Sequence, residues 1–115
     1  MEKEILNTTS ALDMLDGETE LYKMLLDAFI KDCPSSLDSI AELISQDKKE
    51  EARQASHKIK GAASQIGAEQ LTFALQYLED ALKGRITGHI EALQKNANFV
   101  FEKTITYITD FRKSF

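Results

Sequence analysis

The chain has 115 residues, of which 43% are hydrophobic and 29% charged, proportions typical of a globular protein rather than a disordered one. This length fits one domain over residues 1–115 and allows a buried core without disulfides or metals. The formal net charge of −5 argues against a nucleic-acid partner, which would need clustered Lys and Arg. The single cysteine, Cys33, excludes an intramolecular disulfide and lacks the partners for a structural zinc site.

The sequence also argues against a membrane protein. No stretch approaches the roughly 20 apolar residues that span a bilayer, and the first residues carry no secretory signal. We therefore expect a cytoplasmic protein without membrane insertion. The start at Met1 and the fit of the chain to one domain favour a free-standing protein over a piece of a longer hybrid kinase.

The first two predicted elements are helices, because no segment shows the two-residue alternation of a half-buried strand. A short helix is expected from an N-cap threonine at 8–9 to Asp16-Gly17. In the second helix, Pro34 should break or kink the chain, with a serine at 35–36 capping the resumed helix. Before the proline, its apolar positions are Leu21, Met24, Leu25, Ala28 and Phe29.

Three longer helices are predicted at about 47–66, 68–83 and from 88 to the end, and Gly84 stands where a C-terminal cap belongs. The fourth helix has a leucine stripe at 71, 75, 78 and 82. The last has a broad apolar face formed by Ile90, Leu93, Ala97, Val100, Phe101, Thr104, Ile108, Phe111 and Phe115. Short connections between long amphipathic helices predict an all-α fold, an up-and-down antiparallel four-helix bundle with a short extra N-terminal helix.

The third helix places a histidine away from its apolar face. With Ala52 as zero and about 100° per residue, Ser64 lies near 120°, His57 near 140° and Gly61 near 180°. Lys60 lies near 80°, and Arg53 and Gln54 flank the apolar stripe. The stripe itself, which faces the core, consists of Ala52, Ala55, Ile59, Ala62, Ala63 and Ile66.

Gly61 is the unexpected residue on this exposed face. Glycine in a helix interior costs about 1 kcal/mol relative to alanine. An exposed position that nevertheless carries it suggests that another molecule must approach the backbone closely. The neighbouring imidazole would then stand above a lowered surface.

The residues around His57 suit phosphoryl transfer. An exposed imidazole is largely neutral at pH 7, so one nitrogen has a free lone pair for attack on phosphorus. Lys60 is within reach of phosphoryl oxygens, and Lys58 could contribute from the flank. Phosphoryl transfer needs mainly positioning and charge stabilisation, so this set is sufficient for a carrier.

The stretch HKIKGAASQIGA, residues 57–68, resembles the signature of histidine-containing phosphotransfer (HPt) domains. That signature is His, any two residues, Lys-Gly, two small residues, then an apolar residue and Gly-Ala. Every fixed element is present at the right spacing. The resemblance extends over nearly the whole chain, through the helix before the site and the Leu-rich helix after it.

The resemblance implies a helical bundle that carries phosphoryl groups between receiver-domain aspartates, or from a hybrid histidine kinase to a response regulator. His57 would be the phosphoacceptor, Lys60 its electrostatic partner and Gly61 the clearance position. Family members often have a glutamine on the following helix near the imidazole. The exposed stripe of that helix consists of Thr72, Gln76, Glu79 and Lys83. Gln76 is the candidate here, and Glu79 is its competitor although a glutamate would repel the phosphoryl group.

We further expect a monomer without cofactor or metal and without its own kinase activity, since neither a Gly-rich phosphate loop nor an acidic Mg²⁺ cluster is present to bind a nucleotide. The alternative function is a bundle that docks to a receiver or kinase and inhibits it without carrying phosphate. Several apolar residues are assigned to the core or to a docking patch, with the core favoured: Leu12, Leu15, Met24 and Ile30. The phenylalanines at 99, 101, 111 and 115 are assigned to packing, and His89 to the surface or a helix cap.

Overall fold

A computed structural model describes residues 3–84 and 89–115 of the chain. Its helices are α1 (Thr8–Met14), α2 (Thr19–Ser45), α3 (Lys49–Gln65), α4 (Glu69–Leu82) and α5 (Ile90–Ser114). The predicted start of the last helix at Gly88 lies outside the described residues, and His89 is an exposed N-cap of α5. Within those same ranges no helix is both long and apolar enough to cross a bilayer.

The four long helices form the predicted antiparallel bundle, with α3 between α2 and α4 and with α5 closing the ring against α4 and α2. At one end, the Tyr22 hydroxyl near the start of α2 donates to the Ile66 carbonyl after α3, at 2.8 Å. Arg112 near the end of α5 pairs with Asp27 near the start of α2, at 2.8 Å. Opposite ends of neighbouring helices therefore meet, and the predicted all-α bundle is confirmed.

The predicted buried faces of α4 and α5 are confirmed, whereas α2 buries a different face from the one that its apolar pattern indicated. The four leucines of α4 are buried, as are the central residues of the α5 face. In α2, Leu21 and Met24 are 40% and 67% exposed, and Phe99 of α5 is 65% exposed, so the packing assigned to Phe99 and the core position favoured for Met24 were wrong. The buried stripe of α2 consists instead of Tyr22, Leu26, Phe29, Cys33, Leu37 and Ile40.

Pro34 does not break α2, which continues through it from Thr19 to Ser45. Proline removes one backbone donor, but Cys33 and Leu37 on either side belong to the same buried stripe, so packing holds both halves in one helix. The hydroxyls of Ser35 and Ser36 donate back to the Asp32 carbonyl instead of capping a new helix. The prediction of a break with a serine cap was therefore wrong.

The segment before α1 is tied to the turn between α3 and α4. Asn7 caps α1 by accepting from the Ser10 amide at 3.1 Å, in place of the predicted threonine. The Asn7 backbone N–H donates to the Gly67 carbonyl at 2.7 Å, and the Asn7 side-chain amide donates to the Glu69 carboxylate at 3.1 Å. Gly67 has a φ of +81°, and a Cβ there would clash with the Asn7 carbonyl oxygen. This turn accordingly needs glycine.

Candidate functional site

The imidazole of His57 lies on the solvent-facing side of α3, and its side chain is 64% exposed. The opposite side of the helix is buried through Ala52, Ile59 and Ala63. Ser56, beside this apolar stripe, is also buried, and its hydroxyl donates to the Ala52 carbonyl at 2.9 Å. The core side of α3 thus fixes the helix while the ring stays accessible.

Gly61, one turn after the histidine, is exposed and surrounded by open space. A Cβ built on it would have no heavy atom within 4 Å beyond its own helix. The fold therefore gives no reason for a glycine at this position. The bare backbone leaves room beside the imidazole for an approaching molecule.

Glu79 of α4 holds the inner nitrogen of the imidazole. Its Oε1 lies 3.2 Å from His57 Nδ1 across the antiparallel α3–α4 pair. The Glu79 residue is only 1% exposed, although it belongs to a stripe that we predicted to face solvent. Charged side chains from both helices contact its carboxylate.

Three cations surround the buried carboxylate. Lys60 Nζ lies 2.9 Å from Oε1, Lys83 Nζ lies 3.0 Å from Oε2, and Arg53 Nη1 lies 4.0 Å from Oε2. Burial alone would raise the pKa of the Glu79 carboxyl. The hydrogen bonds from Lys60, Lys83 and His57 outweigh burial and lower that pKa from 4.5 to about 2. Glu79 is therefore ionised at neutral pH.

An exposed histidine on a bundle helix, with Lys-Gly beginning three positions later, agrees with the comparison with known families. The family model described as Hpt domain matches residues 24–110, which is most of the chain. The chain belongs to the Hpt family. Hpt domains serve histidine phosphotransfer in phosphorelays, and they are phosphocarriers rather than enzymes with kinase activity of their own. Comparison with curated proteins and with solved structures found no match at the significance required.

The contact that the Hpt resemblance led us to expect of Gln76 is made by Glu79. Gln76 instead accepts from Lys60 Nζ at 2.6 Å and donates to Asp80 at 2.9 Å. Counting equal distances from the turn places the residue level with His57 near Leu78, which is closer to Glu79 than to Gln76. The count therefore favoured Glu79, but the glutamine that is common in the family led to the choice of Gln76.

The other predicted site residues divide between the two sides of α3. Arg53 lies toward α4 and forms a two-point ion pair with Glu50, at 2.9 and 2.6 Å, and Gln54 donates to the same carboxylate at 3.4 Å. Lys58 lies toward α2, where it lines a groove of about 500 Å³ that also includes Cys33. Ser64 is exposed on the same face as the imidazole. Lys58 is therefore not part of the cluster around Glu79.

The buried surroundings of Cys33 favour a structural role for this residue. Burial raises the pKa of the Cys33 thiol to about 11, with a smaller contribution from Asp32, so the reactive thiolate is disfavoured. Across residues 3–84 and 89–115, no three His, Cys, Asp or Glu side chains are grouped so as to hold a metal ion.

Proposed function

We propose that His57 carries the phosphoryl group of a phosphorelay on Nε2. The observation that carries this proposal is the 3.2 Å contact between His57 Nδ1 and the ionised, buried Glu79 beneath an exposed ring. A carboxylate only accepts hydrogen bonds, so it favours the tautomer with the proton on Nδ1. The lone pair then resides on Nε2, the nitrogen that Glu79 does not engage.

The transfer balances without any additional base. Nε2 attacks the phosphorus of an aspartyl phosphate, the Nε2–P bond forms, and the P–O bond to the aspartate breaks. The aspartate leaves as a carboxylate with the bonding electron pair. The imidazole keeps its proton on Nδ1 and becomes cationic, and Glu79 stabilises that charge. In the reverse step the ring leaves as neutral imidazole, a good leaving group.

The cations around Glu79 make a glutamate compatible with a phosphoryl group at this place. A phosphohistidine adds up to two negative charges near a carboxylate that already carries one. Lys60 and Lys83 contact that carboxylate at 2.9 and 3.0 Å, and Arg53 lies 4.0 Å from it. Lys60 is the residue assigned to the phosphoryl oxygens, because it neighbours the imidazole on α3 and reaches the same carboxylate oxygen.

The partners proposed for this site are a receiver domain and a hybrid histidine kinase. Gly61 leaves the backbone beside His57 uncovered, with no heavy atom within 4 Å of a hypothetical Cβ. A receiver could therefore bring its aspartyl phosphate within bonding distance of Nε2. We propose that residues 1–115 act as one monomeric domain in the cytoplasm, without a cofactor or kinase activity, and pass phosphate between receivers or from the kinase to a response regulator.

The test is the uptake of acid-labile, base-stable phosphate from a phosphorylated receiver domain. We expect His57→Gln to abolish labelling with little change in melting temperature, because the exposed imidazole contributes little packing and a glutamine amide can also donate to Glu79. The matched control, His89→Gln, should take up label like the wild type. Label on the His57→Gln protein would refute the proposal. A wild type that binds the phosphorylated receiver but takes no label would favour the inhibitory binding module.

A further inference from the structure

The two oxygens of Glu79 serve different partners. Oε1 contacts the groups that meet a phosphoryl group, His57 Nδ1 at 3.2 Å and Lys60 Nζ at 2.9 Å. Oε2 contacts Lys83 Nζ at 3.0 Å and lies 4.0 Å from Arg53 Nη1. Oε1 therefore faces the groups proposed to take part in phosphoryl transfer, whereas Oε2 faces cations that are assigned no part in it.

To bind phosphoryl oxygens on His57 Nε2, Lys60 would have to leave its present partners. Its ammonium group is shared between Glu79 at 2.9 Å and Gln76 at 2.6 Å, with a side chain that is only 18% exposed. When Lys60 turns to the phosphoryl oxygens, Glu79 loses a close cation while its side chain remains only 2% exposed. A buried carboxylate without a compensating charge is strongly unfavourable. The free energy of that loss would hold Lys60 back.

We propose that Lys83 is a positioning residue that compensates Glu79 while Lys60 moves to the phosphoryl group, an inference that rests on the function proposed above. Lys83 is the C-cap of α4 and lies one helical turn after Glu79, so its distance from the carboxylate does not depend on movements of α3 side chains. It holds Oε2 and so keeps Oε1 directed at the imidazole.

Arg53 is less suited to this role than Lys83. Its guanidinium is engaged at two points by Glu50, at 2.9 and 2.6 Å, and it stands 1 Å farther from Glu79 Oε2 than Lys83 does, at 4.0 against 3.0 Å. Arg53 also belongs to α3, the helix whose side chains must rearrange. Lys83 is the cation that remains in place.

A first experiment tests the compensation without any phosphate. Lys60→Gln imitates the state in which Lys60 has left the carboxylate. We expect the Lys60→Gln, Lys83→Gln double variant to lose at least ~5 °C more in melting temperature than the two single variants lose together. In a Glu79→Gln background this excess should vanish. Additive losses in the wild-type background would overturn the inference.

A second experiment tests the effect on transfer with phosphoramidate, a small phosphodonor that makes no receiver contacts. We expect Lys83→Gln to slow labelling of His57 about tenfold, and Lys83→Arg to restore it within about twofold. The matched charge control is Lys95→Gln on α5, a lysine with no ion pair to any described residue. It should label at the wild-type rate.

The Glu79→Gln background separates positioning from direct attraction of the phosphoryl group. If Lys83 acts through Glu79, Lys83→Gln should change labelling less than about twofold there. An undiminished tenfold loss would mean that Lys83 attracts the phosphoryl group itself, and would overturn the inference. A wild type that takes no label from any donor would refute the proposed function, whereas additive melting losses refute only the role of Lys83.

Discussion

Two glycines six residues apart occupy opposite kinds of surroundings. Gly61 lies in a regular helix, and a side chain there would meet open space. Gly67 lies in the turn between α3 and α4 with a φ of +81°, and a side chain there would collide with the Asn7 backbone. The turn needs its glycine for folding, whereas the exposed face of α3 does not. We infer that a glycine which the fold does not require, such as Gly61, serves the approach of another molecule.

The largest effect expected from this comparison is at the turn. Gly67→Ala should lower the free energy of unfolding by about 4 kcal/mol, because it adds left-handed strain to a clash with backbone atoms. Denaturant unfolding measures the loss. Gly17→Ala is the matched control, since Gly17 has a φ of +75° and no atom within 4 Å of a Cβ. It should cost about 1 kcal/mol. Equal losses would contradict a clash with Asn7.

A smaller loss of stability is expected in acid. It should come from Glu79, which lies beneath the exposed face of α3, rather than from residues at the α3–α4 turn. The pKa of Glu79 is about 2 in the folded protein against an ordinary 4.5. Its contribution to stability is therefore complete above pH 4.5 and is lost as the pH falls toward 2, amounting to about 3 kcal/mol. Unfolding of Glu79→Gln as a function of pH should lack this loss.

Glu69 at the turn is the comparison for that titration. Its pKa is also lowered, first by the hydrogen bond from the Glu4 amide and then by the bond from the Asn7 side chain. Because Glu69 is less buried than Glu79, Glu69→Gln should leave most of the acid loss in place. If Glu69→Gln removed more of the loss than Glu79→Gln, the assignment of the buried charge to the open face would be wrong.

The smallest stability effect is expected at Gly61, and its sign is opposite. Gly61→Ala should raise the free energy of unfolding by about 1 kcal/mol, because alanine favours an exposed helix and meets no atoms. Gly61→Gln should also fold, yet should slow labelling by a phosphorylated receiver at least about tenfold by blocking its approach. Labelling by phosphoramidate is the control and should be unaffected. Unchanged receiver labelling would refute the clearance argument.

The sequence predicted those features that repeat along a helix. The leucine stripe of α4 and the face of α5 follow the helical period, so both were found before the structure. The local signature at residues 57–68 likewise predicted the family. These signals are local, and each is read from one segment alone.

The failures came from contacts between segments. Pro34 was predicted to break or kink α2 because the loss of its N–H is visible in the sequence, whereas the packing of Cys33 and Leu37 on one stripe, which keeps the helix continuous, is not. Glu79 was placed at the surface because its neighbours along α4 are polar. Its burial depends on Lys60 and Arg53, which are 19 and 26 positions away in sequence and reach it only through the register of the α3–α4 pair.

The ties at the α3–α4 turn hold the first and last residues of the chain that the structure describes. The Lys3 carbonyl accepts from the Gln70 side chain, and Phe115 packs edge-on against Tyr22, whose hydroxyl donates to the Ile66 carbonyl. Lys3 and Phe115 therefore lie beside this turn, some ten residues along α3 from His57, a rise of about 15 Å. A receiver domain tethered to either end by even a short linker would be confined near the imidazole, at an effective concentration around millimolar. Fusion at either terminus is thus compatible with transfer within a single polypeptide.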